Sequence, residues 1–120
     1  MYDIVILAIV ILVIDAIYLT LAGPAYGSIV RKIQGSPLQM KISGGVIAYA
    51  AIIFGLYWFI IRPNRSILDA FLLGVFSYGV YEGTTYAIFK DWPIWPIVLD
   101  TLWGGILFAS STFIIRKIGV

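Results

Sequence analysis

Four apolar segments, each about 20 residues long, limit what this chain can fold into. We place them at residues 3–22, 43–61, 68–89 and 96–115. A helix of about 20 residues crosses the hydrocarbon core of a bilayer, and a spanning segment must satisfy its own backbone hydrogen bonds. The sequence therefore predicts an all-α, four-transmembrane-helix bundle. Residues 1–120 would form a single integral membrane domain with both termini on the same side.

Helix-breaking residues separate the four predicted spans. Gly23-Pro24 is predicted to end the first span, and the sequence RPNR at 62–65 is typical of a tight polar turn. The sequence KDWP at 90–93 closes the third span, and Pro96 suits the first turn of the fourth. The connection at 23–42 is long, and its apolar and basic residues fit either a short interfacial helix or a plain loop.

The composition excludes several classes of function. The chain is 62% hydrophobic and 12% charged, whereas a soluble domain is about 45–50% apolar and about 25% charged. It has no Cys and no His, which excludes thiolate catalysis and the usual zinc sites. The net charge of +2 is small and the basic residues are scattered along the chain, so we expect no nucleic acid as a partner. The apolar composition predicts the lipid bilayer as a partner, and we expect no cofactor. Because Asp3 stands where a signal peptide carries basic residues, we expect the first segment to remain as a helix.

The basic residues do not indicate which way the bundle faces. One side, called side A, would hold the termini and the turn at 62–65, and side B would hold the other two connections. Side A has Arg62, Arg65, Arg116 and Lys117, and side B has Arg31, Lys32, Lys41 and Lys90. The positive-inside rule therefore leaves the orientation open. Copies could insert both ways and pair, or one orientation could prevail, and we expect a homo-oligomer or other membrane subunits as partners.

Three carboxylates lie well inside the predicted spans: Asp15, Glu82 and Asp100. Each would lie about 6–11 Å below the side B boundary, counting 1.5 Å per helical residue. No Lys or Arg lies deep in a span to neutralise them, although Lys90 could extend towards this layer. Because an intramembrane charge costs at least about 2.5 kcal/mol, we expect all three acids to face the bundle interior. If the acids come within a few ångströms of one another, they will titrate as a coupled unit.

Polar and aromatic residues accompany the acids at helical spacing. The predicted supporting pocket consists of Tyr18, Tyr78, Tyr81, Thr85, Tyr86 and Trp103. Their hydroxyl and indole groups can donate hydrogen bonds to a carboxylate. These acids are candidates for binding a proton, a cation or a lipid ligand.

The acids are compatible with three classes of function. The first is a proton- or cation-linked transporter or channel that uses the carboxylate layer. The second is a structural or interaction protein, a subunit or anchor of an assembly, in which the acids hold helices together by hydrogen bonds. The third is an intramembrane enzyme that acts on a lipid or isoprenoid. Because no nucleophile–base pair, phosphate loop or metal set accompanies the acids, we predict no catalytic residue and favour a protein that is not an enzyme.

Several motifs resemble the DUF2177 family of small membrane proteins of unknown function. They are IDAIYL in the first span, YGVYEGTTYA in the third, DWP before the fourth and LDTLWGG within it. The matching positions are Asp15, Tyr18, Tyr78, Gly79, Tyr81, Trp92, Pro93, Asp100, Trp103 and Gly104. Where this chain has Glu82-Gly83-Thr84-Thr85, the family often has Asp-Leu-Thr-Asn. The resemblance implies a four-helix membrane fold and no particular activity.

Overall fold

The computed structural model describes residues 2–36 and 41–119, and in these residues the chain is almost entirely helical. Helix α1 spans Tyr2–Gln34, α2 spans Ile42–Leu56, α3 spans Ile67–Ile88 and α4 spans Trp95–Ile118. A short π-helical turn, Tyr57–Ile61, continues α2. The prediction of an all-helical, four-helix bundle is therefore confirmed.

Three of the four helical segments are long and apolar enough to cross a membrane. They are Asp3–Gln34, Ile42–Ile61 and Trp95–Ile118. Helix α3 has 22 residues, which gives it a length of about 33 Å. Its second half is polar, with Ser77, Glu82 and two threonines. That α3 also crosses the membrane remains a prediction.

The predicted end of the first span at Gly23-Pro24 is wrong. Helix α1 continues through Pro24 to Gln34, so the segment after Pro24 is neither a separate interfacial helix nor a loop. Proline is tolerated inside membrane helices, and continuing the helix keeps Tyr26 two turns beyond Tyr18, within hydrogen-bonding distance of it. Residues 37–40 of the predicted connection lie outside the described residues.

The other predicted boundaries agree with the structure to within a few residues. The second helical segment ends at Ile61 and is followed by a tight turn in which Asn64 has a positive φ of 57°. Ser66 then caps α3 by accepting a 3.0 Å hydrogen bond from the backbone N–H of Asp69. Pro96 lies in the first turn of α4, where a missing backbone N–H is harmless.

Helix α4 is the centre of the bundle, because α1 and α3 both pack against it. The seam between α3 and α4 is built on glycines. A Cβ atom at Gly74 would overlap the carbonyl group of Gly104, and a Cβ atom at Gly105 would lie 2.6 Å from the Phe71 ring. Only glycine permits this approach of two backbones, which is how small residues act in membrane helices. The seam fixes the register between α3 and α4.

Helices α1 and α3 both run antiparallel to α4. Arg116 near the end of α4 donates to the carbonyl oxygen of Arg65 before α3, and Tyr26 in α1 contacts Trp95 at the start of α4. The start of α1 and the end of α4 therefore lie at the same end of the bundle, as predicted. Because α1 and α3 have little direct contact with each other, a gap remains between them on one side of α4.

Candidate functional site

Asp15 is a buried carboxylate with donors on two other helices. Its side chain is only 6% exposed. The indole Nε1 of Trp103 in α4 donates a 2.8 Å hydrogen bond to Oδ1, and the hydroxyl of Tyr49 in α2 donates to Oδ2. Each carboxylate oxygen therefore has a donor. We call Asp15, Tyr49 and Trp103 the Asp15 node, and it joins α1, α2 and α4.

Glu82 and Asp100 form a second group about one helical turn closer to the α3–α4 connection. Their two carboxyl groups lie close enough to interact across the α3–α4 seam. The hydroxyl of Tyr18 in α1 donates a 3.1 Å hydrogen bond to Oδ1 of Asp100, and it lies 2.9 Å from the hydroxyl of Tyr26. We call Glu82 and Asp100 the acid pair. Because an ionised carboxylate can only accept hydrogen bonds, this contact requires a proton or a cation between the two side chains.

One aromatic stack lies between the two groups. The rings of Tyr18 and Trp103 are stacked with their centroids 4.5 Å apart and an angle of 4° between their planes. Tyr18 donates to Asp100, whereas Trp103 donates to Asp15. The three acids therefore lie close to the α1–α4 seam, in two groups that have different hydrogen-bond partners.

A cavity of about 530 Å³ opens beside the acid pair in the gap between α1 and α3. Glu82, Asp100, Tyr18 and Tyr26 line its inner wall. Most of the remaining wall is apolar or aromatic and comes from the second halves of α1 and α3 and from Trp92 in the α3–α4 connection. Its volume lies within the range of small-molecule sites, about 300–1,000 Å³.

Within the described residues, two buried polar atoms of the cavity wall have no hydrogen-bond partner. Glu82 is only 3% exposed, and its Oε1 atom accepts no hydrogen bond in the described residues. The indole Nε1 of Trp92 is also buried without a partner there. Buried polar groups are nearly always paired, so unpaired ones beside a cavity indicate that something else supplies the partner.

No basic side chain neutralises the three acids in the described part of the chain. The ion pair seen there joins Arg65 to Asp69 at 3.0 Å, at the far end of α3. Lys90 does not extend to the acid layer; it is exposed and lines clefts on the other side of the α3–α4 connection. Within residues 2–36 and 41–119 no set of three acids is close enough to hold a metal ion.

The predicted supporting residues have different surroundings. Tyr78 packs edge-on against Phe108, and its ring covers Gly104 at the glycine seam. Thr85 lines the cavity, although its hydroxyl donates to the carbonyl of Tyr81 at 3.0 Å. Tyr81 also borders the cavity but is 67% exposed.

Tyr86 lies apart from the acids. It is 48% exposed and lines a cleft formed with the α3–α4 connection, so the structure does not bring it to the acid pair.

Three residues of the site were not predicted as part of it. Tyr49 is the second donor to Asp15, Tyr26 supports Tyr18, and Trp92 contributes an unpaired indole N–H to the cavity. In the sequence, Trp92 stands out only as a position of the family resemblance, and Tyr26 is not singled out. Their distance from the acids along the chain gave no sign of contact; Tyr49 is 34 residues from Asp15.

The comparisons with known proteins give one match. The family model described as a predicted membrane protein, DUF2177, matches residues 1–115. Neither the curated proteins nor the solved structures gave a match. The matched range includes Asp15, Glu82 and Asp100 and therefore both groups described above. The chain therefore belongs to the DUF2177 family of predicted membrane proteins.

Proposed function

We propose that this membrane protein binds a proton or a cation at the acid pair and uses the site in proton- or cation-linked transport. One observation carries the proposal: two touching carboxyl groups border an open cavity without a neutralising Lys or Arg in the described residues. Ionisable residues inside membrane proteins that face a cavity commonly mark ion and proton pathways.

The contact between Glu82 and Asp100 supports coupling between a proton and a cation. Two carboxylates at this separation repel each other strongly in a low dielectric, so the pair is stable with one shared proton or with a bound cation. A cation that enters the cavity would displace the proton, and a returning proton would displace the cation. Such mutual exclusion is the basis of exchange transport.

The packing of the helices supports a change of access to the cavity. The glycine seam fixes α3 against α4, whereas α1 and α3 have little direct contact. A shift of α1 relative to the α3–α4 unit would change the opening of the cavity without breaking the seam. Tyr18 and Tyr26 in α1 would move with it and would release or recapture Asp100.

The proposal is tested by reconstituting the protein in vesicles that contain a pH-sensitive dye. Adding an outward or inward gradient of Na⁺, K⁺ or an alkylammonium ion should drive proton movement in the wild type. Glu82→Gln and Asp100→Asn should abolish it. Asp69→Asn is the matched control, because it removes a carboxylate at the opposite end of α3 that is paired with Arg65, and it should retain proton movement.

The opposite result would reject the transport proposal. If no gradient moves protons, or if Glu82→Gln moves them as well as the wild type, the acid pair has no role in transport.

A second candidate function is favoured by the Asp15 node. There the carboxylate is fully hydrogen-bonded and joins three helices, which is the arrangement expected of a structural contact. If the acid pair has the same purpose, the chain acts as a subunit or anchor in a membrane assembly. In that case Glu82→Gln would change stability or assembly, and no ion flux would depend on it.

A further inference from the structure

The walls of the cavity restrict the class of cation that fits beside the acid pair. We infer that the occupant is a protonated organic amine: an apolar body that carries at least one N–H, rather than a metal ion or a quaternary ammonium. The inference rests on the proposed function and specifies its substrate class. It is carried by the unpaired Oε1 of Glu82 together with the aromatic lining of the cavity.

The unpaired oxygen has no donor among the described residues, and an occupant of the cavity can supply one. Three hydroxyl groups of the cavity wall already have partners: Tyr18 donates to Asp100, Tyr26 is bonded to Tyr18, and Thr85 donates to the backbone. In the described residues, none of them reaches Oε1 of Glu82. A protonated amine brings the positive charge and an N–H in one group. It can therefore satisfy this oxygen with a charge-assisted hydrogen bond.

The aromatic residues of the wall suit an organic cation. Tyr26, Tyr81, Phe89 and Trp92 surround the cavity outside the acid pair, with aliphatic side chains of α1 between them. Aromatic faces attract ammonium groups, and the apolar wall accommodates a hydrocarbon body. The unpaired indole N–H of Trp92 could donate to a hydroxyl or carbonyl oxygen on the same molecule.

Inorganic cations fit this wall less well. Mg²⁺ and Ca²⁺ take six or more oxygen ligands. The cavity wall holds two carboxyl groups, three phenols and the side chains of Thr85 and Gln34, spread over α1, α3 and α4, and the rest of the wall is apolar or aromatic. A quaternary ammonium fits the aromatic rings but has no N–H, so it leaves Oε1 of Glu82 buried and without a donor.

Binding of the amine exchanges charge without any other reactant. The protonated amine enters with its N–H bonds intact, and the proton shared by Glu82 and Asp100 leaves to water. The titratable groups that face the pair are Tyr18 and Tyr26 from α1, with Asp15 behind Asp100 and Tyr78 on α3. From helix α2, Tyr49 is bonded to Asp15 rather than to the acid pair. In the described residues, no Lys or Arg pairs with either acid.

The test compares two probes of matched shape: octyldimethylamine, which has one N–H when protonated, and octyltrimethylammonium, which has none. Binding is measured by calorimetry on the full protein in lipid nanodiscs, with empty nanodiscs subtracted. At about pH 7 both probes are cationic, since an alkylamine is protonated as a lysine is. We expect the amine to bind about tenfold more tightly, because the quaternary probe leaves the buried Oε1 acceptor of Glu82 without a donor.

Variants then locate the preference. Glu82→Gln should remove the difference between the two probes, and Asp69→Asn should retain it. The wild-type comparison stands by itself should Glu82→Gln fail to fold.

The failure of this inference differs from the failure of the proposed function. Equal binding of the two probes, or binding of Na⁺ or K⁺ with no binding of either probe, would overturn the amine inference and leave cation transport intact. No binding of any of these cations to the wild type would overturn the amine inference, and the absence of proton movement in vesicles would independently overturn the proposed function.

Discussion

The Asp15 node and the acid pair are both buried carboxyl sites, yet their hydrogen bonding differs. Asp15 accepts from Trp103 and Tyr49, one donor for each oxygen. Glu82 touches another carboxyl group and keeps one oxygen without a donor. A satisfied carboxylate holds helices together, whereas an unsatisfied one beside a cavity can exchange its proton or bind a ligand. Depth in the membrane alone does not separate these two roles.

The largest predicted effect comes from separating α3 from α4. Gly74→Ala places a Cβ atom against the Gly104 carbonyl and should lower the free energy of unfolding by about 3 kcal/mol, the upper range for overpacking. It should also move Glu82 away from Asp100 and abolish amine binding. The Asp15 node should keep its hydrogen bonds, because it has no hydrogen-bond partner on α3 among the described residues. Unfolding in mixed micelles and calorimetry measure the two effects.

Gly83→Ala is the matched control on the same helix. A Cβ atom at Gly83 meets nothing within 4 Å, so this variant should be neutral or slightly more stable through its higher helix propensity. If both variants lose the same stability, the glycine seam does not fix the register of the acid pair.

Removal of the Asp15 carboxylate should have the next largest effect. Asp15→Ala leaves the Tyr49 hydroxyl and the Trp103 indole without an acceptor, and should lower the free energy of unfolding by about 2 kcal/mol. Glu82→Gln should lower it by less, about 0.5 kcal/mol, because the glutamine amide can make a hydrogen bond to the Asp100 carboxyl group across the seam. Parallel unfolding curves in one detergent measure both. A reversed order of these two losses would contradict the distinction between a structural and a binding carboxyl group.

Cation affinity should rise with pH in the range where the acid pair releases its proton. Since binding displaces one proton, affinity should increase by up to about tenfold per pH unit there and become constant above it. Calorimetry in buffers of different ionisation enthalpy measures the proton released per cation bound. Release of a proton that persists in Asp100→Asn would contradict the assignment of the exchanged proton to the acid pair.

A further predicted effect, smaller than that of Asp15→Ala, sharpens the description of the Asp15 node. Trp103→Phe preserves a ring that can stack on Tyr18 but removes the indole donor to Asp15. We expect a loss of about 0.6 kcal/mol, the average for a hydrogen bond between membrane helices. A double-mutant cycle with Asp15→Asn isolates this contact. A coupling energy of zero would mean that Trp103 supports the site through stacking alone.

The sequence predicted that Asp15, Glu82 and Asp100 lie inside the helices, but it could not distinguish a structural carboxyl group from a binding one. Their depth follows from counting residues along predicted spans, since each helical residue rises by a fixed 1.5 Å. Their partners depend on which helix faces which. Trp103 is 88 residues from Asp15 along the chain. Both lipid-facing and interior positions of these helices are apolar, so hydrophobic periodicity does not indicate which face of each helix points into the bundle.

The sequence by itself determined the number of helices, most of their ends and the placement of three acids near one level. Those features follow from local properties: apolar length, turn residues at 62–65 and the rise of a helix. Only the tertiary structure decided that α1 continues through Pro24, that Tyr49 satisfies Asp15, and that Glu82 meets Asp100 beside a cavity. The physical reason is that close packing at Gly74 and Gly104 sets the register of α3 on α4, and this register depends on contacts between segments far apart in the chain.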